Sequence, residues 1–115
     1  MSRRLLFIGA LVLAGACTQS SLEALPLQIS VAASRATAAP GDTVVFVATI
    51  QGGSLLGLDV DYGDTMTEQY GTGGARTGKV SFYHAYAARG TYTTKITVTD
   101  ATAGQKSASV EIRVN

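Results

Sequence analysis

His84 to Asp100, HAYAARGTYTTKITVTD, is the stretch on which the fold is decided. From Thr91 to Thr99 the side chains alternate, with Tyr92, Thr94, Ile96 and Val98 on one side and Thr91, Thr93, Lys95, Thr97 and Thr99 on the other. A period of two marks a half-buried β-strand, because successive side chains of an extended chain point to opposite faces. Ala88-Arg89-Gly90 supplies a turn before this strand, and His84 and Tyr86, two positions apart, share a face if the backbone there is extended.

The same alternation recurs outward in both directions. Leu27, Ile29 and Val31 line one side of a first strand, and Val44, Phe46, Ala48 and Ile50 the inner side of a second. Val45 and Val47 fall on the other side of that second strand, as ordinary β-branched strand residues. Leu58, Val60 and Tyr62 point inward between Asp59 and Asp61, and Met66 to Tyr70 is a short fourth strand. Val80 and Phe82 then face inward in Lys79 to Tyr83, as do Ala108, Val110, Ile112 and Val114 in the last strand. Turn residues punctuate these runs: Pro40-Gly41-Asp42, Gly52-Gly53, a flexible loop at Gly71-Thr72-Gly73-Gly74, and Gly104. About seven short strands, with no helical periodicity after residue 17, predict an all-β, antiparallel two-sheet sandwich.

A chain of 115 residues has room for one domain, and 46% hydrophobic with 15% charged residues is a globular composition. The formal charge of +1 includes Arg3 and Arg4, and the other basic residues are scattered singly, with no cluster that could track phosphates, which sets nucleic acid aside. Residues 1–16 read as a signal peptide, a cleaved helix rather than part of the fold. Arg3 and Arg4 form a positive start, and the apolar run from Leu5 to Ala14 is well short of the ~20 residues that span a bilayer. Cleavage before Cys17 leaves 99 residues with a net charge of −1 and a single cysteine, so no internal disulfide. Residues 17–26 are then a short polar tether closed by Pro26, and residues 27–115 the sandwich.

Three motifs carry a resemblance. H-x-Y at His84 to Tyr86, a turn, G-T-Y at Gly90 to Tyr92 and the closing T-D at Asp100 are similar to the PKD (polycystic kidney disease) repeat. PGDTVVF at Pro40 to Phe46 and DYGD at Asp61 to Asp64 match further segments of that family in its order. The resemblance implies an immunoglobulin-like sandwich with structural roles for Asp61, Gly63, Asp64, His84, Tyr86, Gly90 and Tyr92. Val60 stands where the family usually has Trp, and Arg89 where it often has Pro. LAGAC, ending at Cys17, resembles the lipobox of bacterial lipoproteins, which implies a diacylglycerol thioether and an N-acyl chain, palmitate among them, on that cysteine. The expected place is a bacterial cell envelope. Thr18 follows the cysteine where Asp would resemble an inner-membrane retention signal, so the outer membrane is expected if there is one.

Candidate chemistry is sparse. Asp59, Asp61 and Asp64 are the one acidic cluster, and DVDYGD has the alternating carboxylates of the first half of a calcium loop. Gly63 replaces a ligand there and no closing Glu follows, so the expectation is backbone bonding by Asp61 and Asp64, with calcium as a minor alternative. His84 is the single histidine and has no second soft ligand for zinc. The GTGG loop lacks the Lys-Ser or Lys-Thr and the helix that a phosphate loop requires. Tyr70 and Tyr83, on separate strands, are candidates for stacking on sugar rings or anchoring a protein contact. The expected function is therefore a non-enzymatic module without a cofactor. It would bind or scaffold an envelope protein through a sheet face or through the loops Gly52 to Leu55 and Gly71 to Gly78. Binding of cell-wall or extracellular polysaccharide is the alternative, and a calcium-stabilised adhesion module a weaker one.

Overall fold

The computed structural model describes residues 25–115, so Cys17 and the leader lie outside the described residues. Every element in this range is a strand: β1 (Gln28–Ala33), β2 (Thr37–Ala38), β3 (Thr43–Asp61), β4 (Thr67–Ala85), β5 (Gly90–Asp100) and β6 (Gly104–Val114). Hydrogen bonding links them in the order β1-β3-β5-β6-β2, with β4 on the other side of β3. All pairings are antiparallel except the two-residue β2, which runs parallel to the end of β6.

The two-layer architecture comes from folding one hairpin across itself. β3 and β4 pair along their whole lengths, from Thr43↔Ala85 at the open end to Asp61↔Thr67 at the turn. If β3 were straight, Phe46 and Tyr62 would lie about 50 Å apart at the usual rise of a strand. Their ring centroids are 5.8 Å apart. Tyr70 and Phe82, both on β4, likewise meet at 5.7 Å. Each long strand therefore has two limbs in different layers. The first limb of β3 pairs with β1 and with the second limb of β4, and the second limb of β3 pairs with β5 and with the first limb of β4.

The crease lies at the glycines. Register slips twice, between Gln51 and Leu55 and between Leu55 and Gly57, and the buried row shifts from even positions to Leu55 before resuming at Leu58 and Val60. Opposite it, Gly73 and Gly74 take positive φ of 59° and 85°, conformations open to residues without a Cβ. The expected loops at Gly52 to Leu55 and Gly71 to Gly78 are thus strand bent over at a break in register rather than looped out: Gly71, Ala75, Thr77 and Gly78 keep partners on β3, and Thr72 Oγ1 donates to Leu55 O at 2.7 Å. Gly52 has to be small, since a Cβ there would lie 2.8 Å from Asp100 Oδ1 and from Leu55 Cδ2.

Between the layers the inner rows predicted from alternation meet as one core. Val44, Phe46, Ala48 and Ile50 from one layer face Leu58, Val60, Ile96, Val98, Ile112 and Val114 from the other, all buried. Val60, at the position of the family's tryptophan, is only 2% exposed. Leu27, Ile29, Val31, Val80, Tyr92 and Val110 pack against this core while partly exposed. β2 was not foreseen, because two residues show no period.

Candidate functional site

One end of the sandwich gathers the residues of the HAY and DYGD motifs. The turn from Tyr62 to Met66 closes the β3–β4 hairpin through a bond from Tyr62 N to Met66 O at 3.1 Å. Asp61 Oδ1 accepts from Gly63 N at 2.9 Å, and Asp64 Oδ1 from Met66 N at 3.2 Å. Gly63 and Thr65 have positive φ of 87° and 75°. At a β-branched residue such as Thr65 that conformation is strained, and the turn is held in it from outside. Asp64 Oδ2 lies 2.7 Å from His84 Nε2 on β4, across the hairpin.

Four rings fill the space behind this turn. His84 stacks on Tyr62 at 3.9 Å and 6° between planes, and meets Tyr86 edge-on at 4.7 Å. Tyr86 stacks on Tyr92 at 4.4 Å. The Tyr86 hydroxyl is buried, donates to Tyr62 O at 3.0 Å and sits 2.6 Å from Thr94 Oγ1. The Tyr62 hydroxyl donates to Glu68 Oε1. Burial raises the Tyr62 phenol well above its usual range, and the bond to Glu68 and that residue's charge push it further. Tyr86 is raised too, chiefly by burial. Both phenols therefore stay protonated and serve as fixed donors. Pro40-Gly41-Asp42 docks on the same end, where Gly41 N donates to Tyr86 O at 2.9 Å and Asp42 Oδ2 accepts from Ala39 N at 3.0 Å.

Tyr92 is half-buried, and its hydroxyl donates to Ala88 O at 2.8 Å, four residues upstream. This is the tyrosine corner found at the same strand position in immunoglobulin-type sandwiches. Tyr92→Ala is expected to cost about 2 kcal/mol, below the 3–5 typical of a fully buried aromatic, because part of the ring already faces water. Chemical denaturation measures this, and a change under about 0.5 kcal/mol would contradict the stacked geometry.

Asp100 is the buried polar residue that alternation alone did not single out. It is 3% exposed at the end of β5. Its Oδ1 accepts from Ser54 N at 2.6 Å, and its Oδ2 from Thr102 N, Thr102 Oγ1 and Ala103 N at 2.9–3.0 Å. One carboxylate thus pins the β3 crease to the β5–β6 turn. A signal was present in the sequence: an aspartate closes the inner row of an alternating strand, just before a turn. Thr94, the one threonine in that row, is likewise buried, and its hydroxyl partners that of Tyr86.

The amide donors of Ser54, then Ala103 and Thr102, hold the Asp100 carboxyl far below the usual range. For Asp64 burial acts upward, but the bond with His84 and that from Met66 N outweigh it, and the carboxyl is lowered. A carboxyl whose pKa is depressed by folding contributes stability above its unfolded value, about 4, and loses that contribution as pH falls through the folded value. The thermal midpoint is expected to fall steadily below pH 4. Asp100→Asn should lower the midpoint at pH 7 and flatten that acid slope, and an unchanged slope would contradict the pinning role.

The acidic cluster does not converge. Asp59 Oδ1 accepts from Gln69 Nε2 at 3.0 Å, while Asp61 and Asp64 turn to the amides already named. Among the described residues, no three His, Cys, Asp or Glu side chains come together as a metal site. Millimolar calcium against chelator is expected to leave the thermal midpoint unmoved. A site with a dissociation constant near 10 μM would add about 2.7 kcal/mol at 1 mM ion, an effect too large to miss.

Tyr70 and Tyr83 are 51% and 66% exposed. Both lie on β4, not on separate strands, but on different limbs. Tyr70 pairs with inward-facing Leu58 and leans edge-on against Phe82, whereas Tyr83 pairs with Val45 on the outer face. They form no single platform.

A folded hairpin, two layers over one apolar core and a tyrosine corner define an immunoglobulin-like β-sandwich module. The chain belongs to the PKD domain family, whose model matches residues 28–114. Among solved structures it is similar to the PKD domain of an M14-like peptidase from Thermoplasmatales archaeon SCGC AB-540-F20. That match has 19% identity and a TM-score of 0.69, and covers 80% of this chain and 98% of that one. It is also similar to the PKD domain of the human VPS10 domain-containing receptor SorCS2, at 24% identity and a TM-score of 0.56, covering 80% and 74%. The CARDB domain of the PF1109 protein from Pyrococcus furiosus, solved in complex with di-metal ions, shares the fold at 13% identity and a TM-score of 0.58, covering 77% and 92%. A search of curated proteins returned no match.

Proposed function

We propose that this chain is a lipid-anchored protein of a bacterial cell envelope whose PKD domain is a non-catalytic module for protein binding or scaffolding. The observation that carries the proposal is the spacing of two signals. Arg3-Arg4, an apolar run and LAGAC end at Cys17, and the family match begins at residue 28. Ten residues of tether reach at most about 35 Å when extended, so a partner must lie at or close to the membrane. PKD domains are binding or structural modules rather than catalysts, and the polar groups of the aromatic end are spent on holding its turns.

The decisive experiment is metabolic palmitate labelling of the full chain. Label is expected in the wild type and absent from Cys17→Ser, and label surviving that substitution would refute anchoring through this residue. Crosslinking in intact cells then identifies the envelope partner. Recognition of a polysaccharide is a second reading, favoured by the exposure of Tyr70 and Tyr83. A pull-down on insoluble polysaccharide would test it, and retention unchanged in Tyr70→Ala/Tyr83→Ala would remove both residues from that role.

A further inference from the structure

Among the described residues β4 pairs only with β3, so its opposite edge is free along both limbs. The second limb, Thr77 to Ala85, is the open edge of the layer formed with β1. Free edges present unpaired N–H and C=O groups that template another strand, and proteins usually blunt them with proline, bulges, inward charges or brevity. The other edges are shorter or interrupted. β1, the opposite edge of the same layer, offers six residues, β2 has two, and the first limb of β4 runs into Gly73 and Gly74 with positive φ. From Thr77 to Ala85 the register with β3 is unbroken, and the limb contains neither proline nor an inward Asp, Glu, Lys or Arg, while the inward His84 is bonded to Asp64. Lys79 is its single protective charge, and Tyr83, four residues further along, is 66% exposed.

We infer that this edge is a self-association site, at which two copies of the chain pair their second β4 limbs antiparallel about a two-fold axis at Ser81. The register follows from the limb itself. Ser81 is the midpoint of Thr77 to Ala85, so an axis there pairs the whole limb, whereas an axis at Lys79 would run it into the glycine crease and set Lys79 against itself. With the axis at Ser81, each Lys79 lies opposite the partner's Tyr83, a cation against an aromatic face. The two lysines are then about 13 Å apart along the strands, beyond the ~8 Å over which charges act at physiological ionic strength. Inner and outer faces also stay continuous across the join, as pairing at even offset requires. Val80 meets the partner's Phe82 on the core side, and the two layers merge into one six-stranded sheet, β1-β3-β4 followed by its symmetry mate.

The inference is independent of the proposed anchor and is tested on the full chain in intact cells. Ser81→Cys puts a thiol on the axis, within reach of its own copy. Oxidation is expected to give a covalent dimer that is absent from the wild type, which reports any bond made through Cys17, and from Ser30→Cys on β1. Adding Tyr83→Lys, an exposed and readily tolerated change, sets lysine against Lys79 twice in the symmetric pair and should cut the dimer yield about tenfold. Further addition of Lys79→Glu should restore it by making both contacts opposite in charge. No dimer from Ser81→Cys, a yield no higher than from Ser30→Cys, indifference to Tyr83→Lys, or failure of Lys79→Glu to rescue would each overturn the inference.

Discussion

Phe46→Ala is expected to cost about 3–5 kcal/mol, the largest effect of any single change in this domain. Phe46 is fully buried, and its ring meets that of Tyr62, just past the far limb of the same strand, at 5.8 Å. It therefore acts at the contact that makes β3 a folded strand rather than a straight one. Removing the ring deletes the transfer term and leaves a cavity between layers whose backbones are tied by ladder hydrogen bonds and cannot collapse to fill it. A domain of this size has roughly 5–14 kcal/mol of total stability, so the variant should unfold at a much lower urea concentration and be largely unfolded if the parent lies at the low end. Equilibrium denaturation with an unchanged m-value measures the loss, and a cost below 1 kcal/mol would mean that the layers do not close on this ring.

Gly63→Ala comes second, at about 3 kcal/mol, although it adds a single methyl group. Two penalties act together. The residue's φ of 87° costs an alanine about 1–2 kcal/mol, and the new Cβ would lie 2.6 Å from the backbone oxygen of Thr93, which β5 holds in place. Relief would require moving the turn, and with it the Asp61 and Asp64 bonds and the approach of Asp64 to His84. Gly71→Ala is the control. Nothing lies within 4 Å of its Cβ position and its φ is not positive, so stability should change by less than about 0.5 kcal/mol or rise slightly. Equal thermal midpoints for the two variants would refute the argument.

Much of the sandwich was legible before any coordinates. Leu27 to Val31, Val44 to Ile50, Leu58 to Tyr62, Tyr92 to Val98 and Ala108 to Val114 all present the inner faces that alternation assigned them. Turn chemistry at Pro40-Gly41-Asp42 was equally readable, since the bonds that close the turn run between Ala39 and Asp42, three positions apart. The glycine-rich stretches were misread. Gly71 to Gly74 looks like a loop because glycine marks loops, yet here it lies beside Gly57 and Leu55 and lets a paired strand bend. Composition cannot tell a crease from a loop, because both require freedom at φ. The candidate site was less legible still: HAY and DYGD could be named as motifs, but nothing local says that His84 lies flat on Tyr62 or that Asp64 reaches it.

By itself the sequence determined which side of the sheet each residue occupies, since a period of two is a property of the extended backbone and needs no partner. Tertiary structure alone decided that β3 and β4 fold across themselves, that Asp100 closes the crease onto Ser54, 46 positions earlier in the chain, and that the second limb of β4 has an open edge among the described residues. Those outcomes depend on which distant groups meet once the apolar rows are buried, and the energies that choose among such meetings belong to pairs of residues rather than to any one stretch of chain.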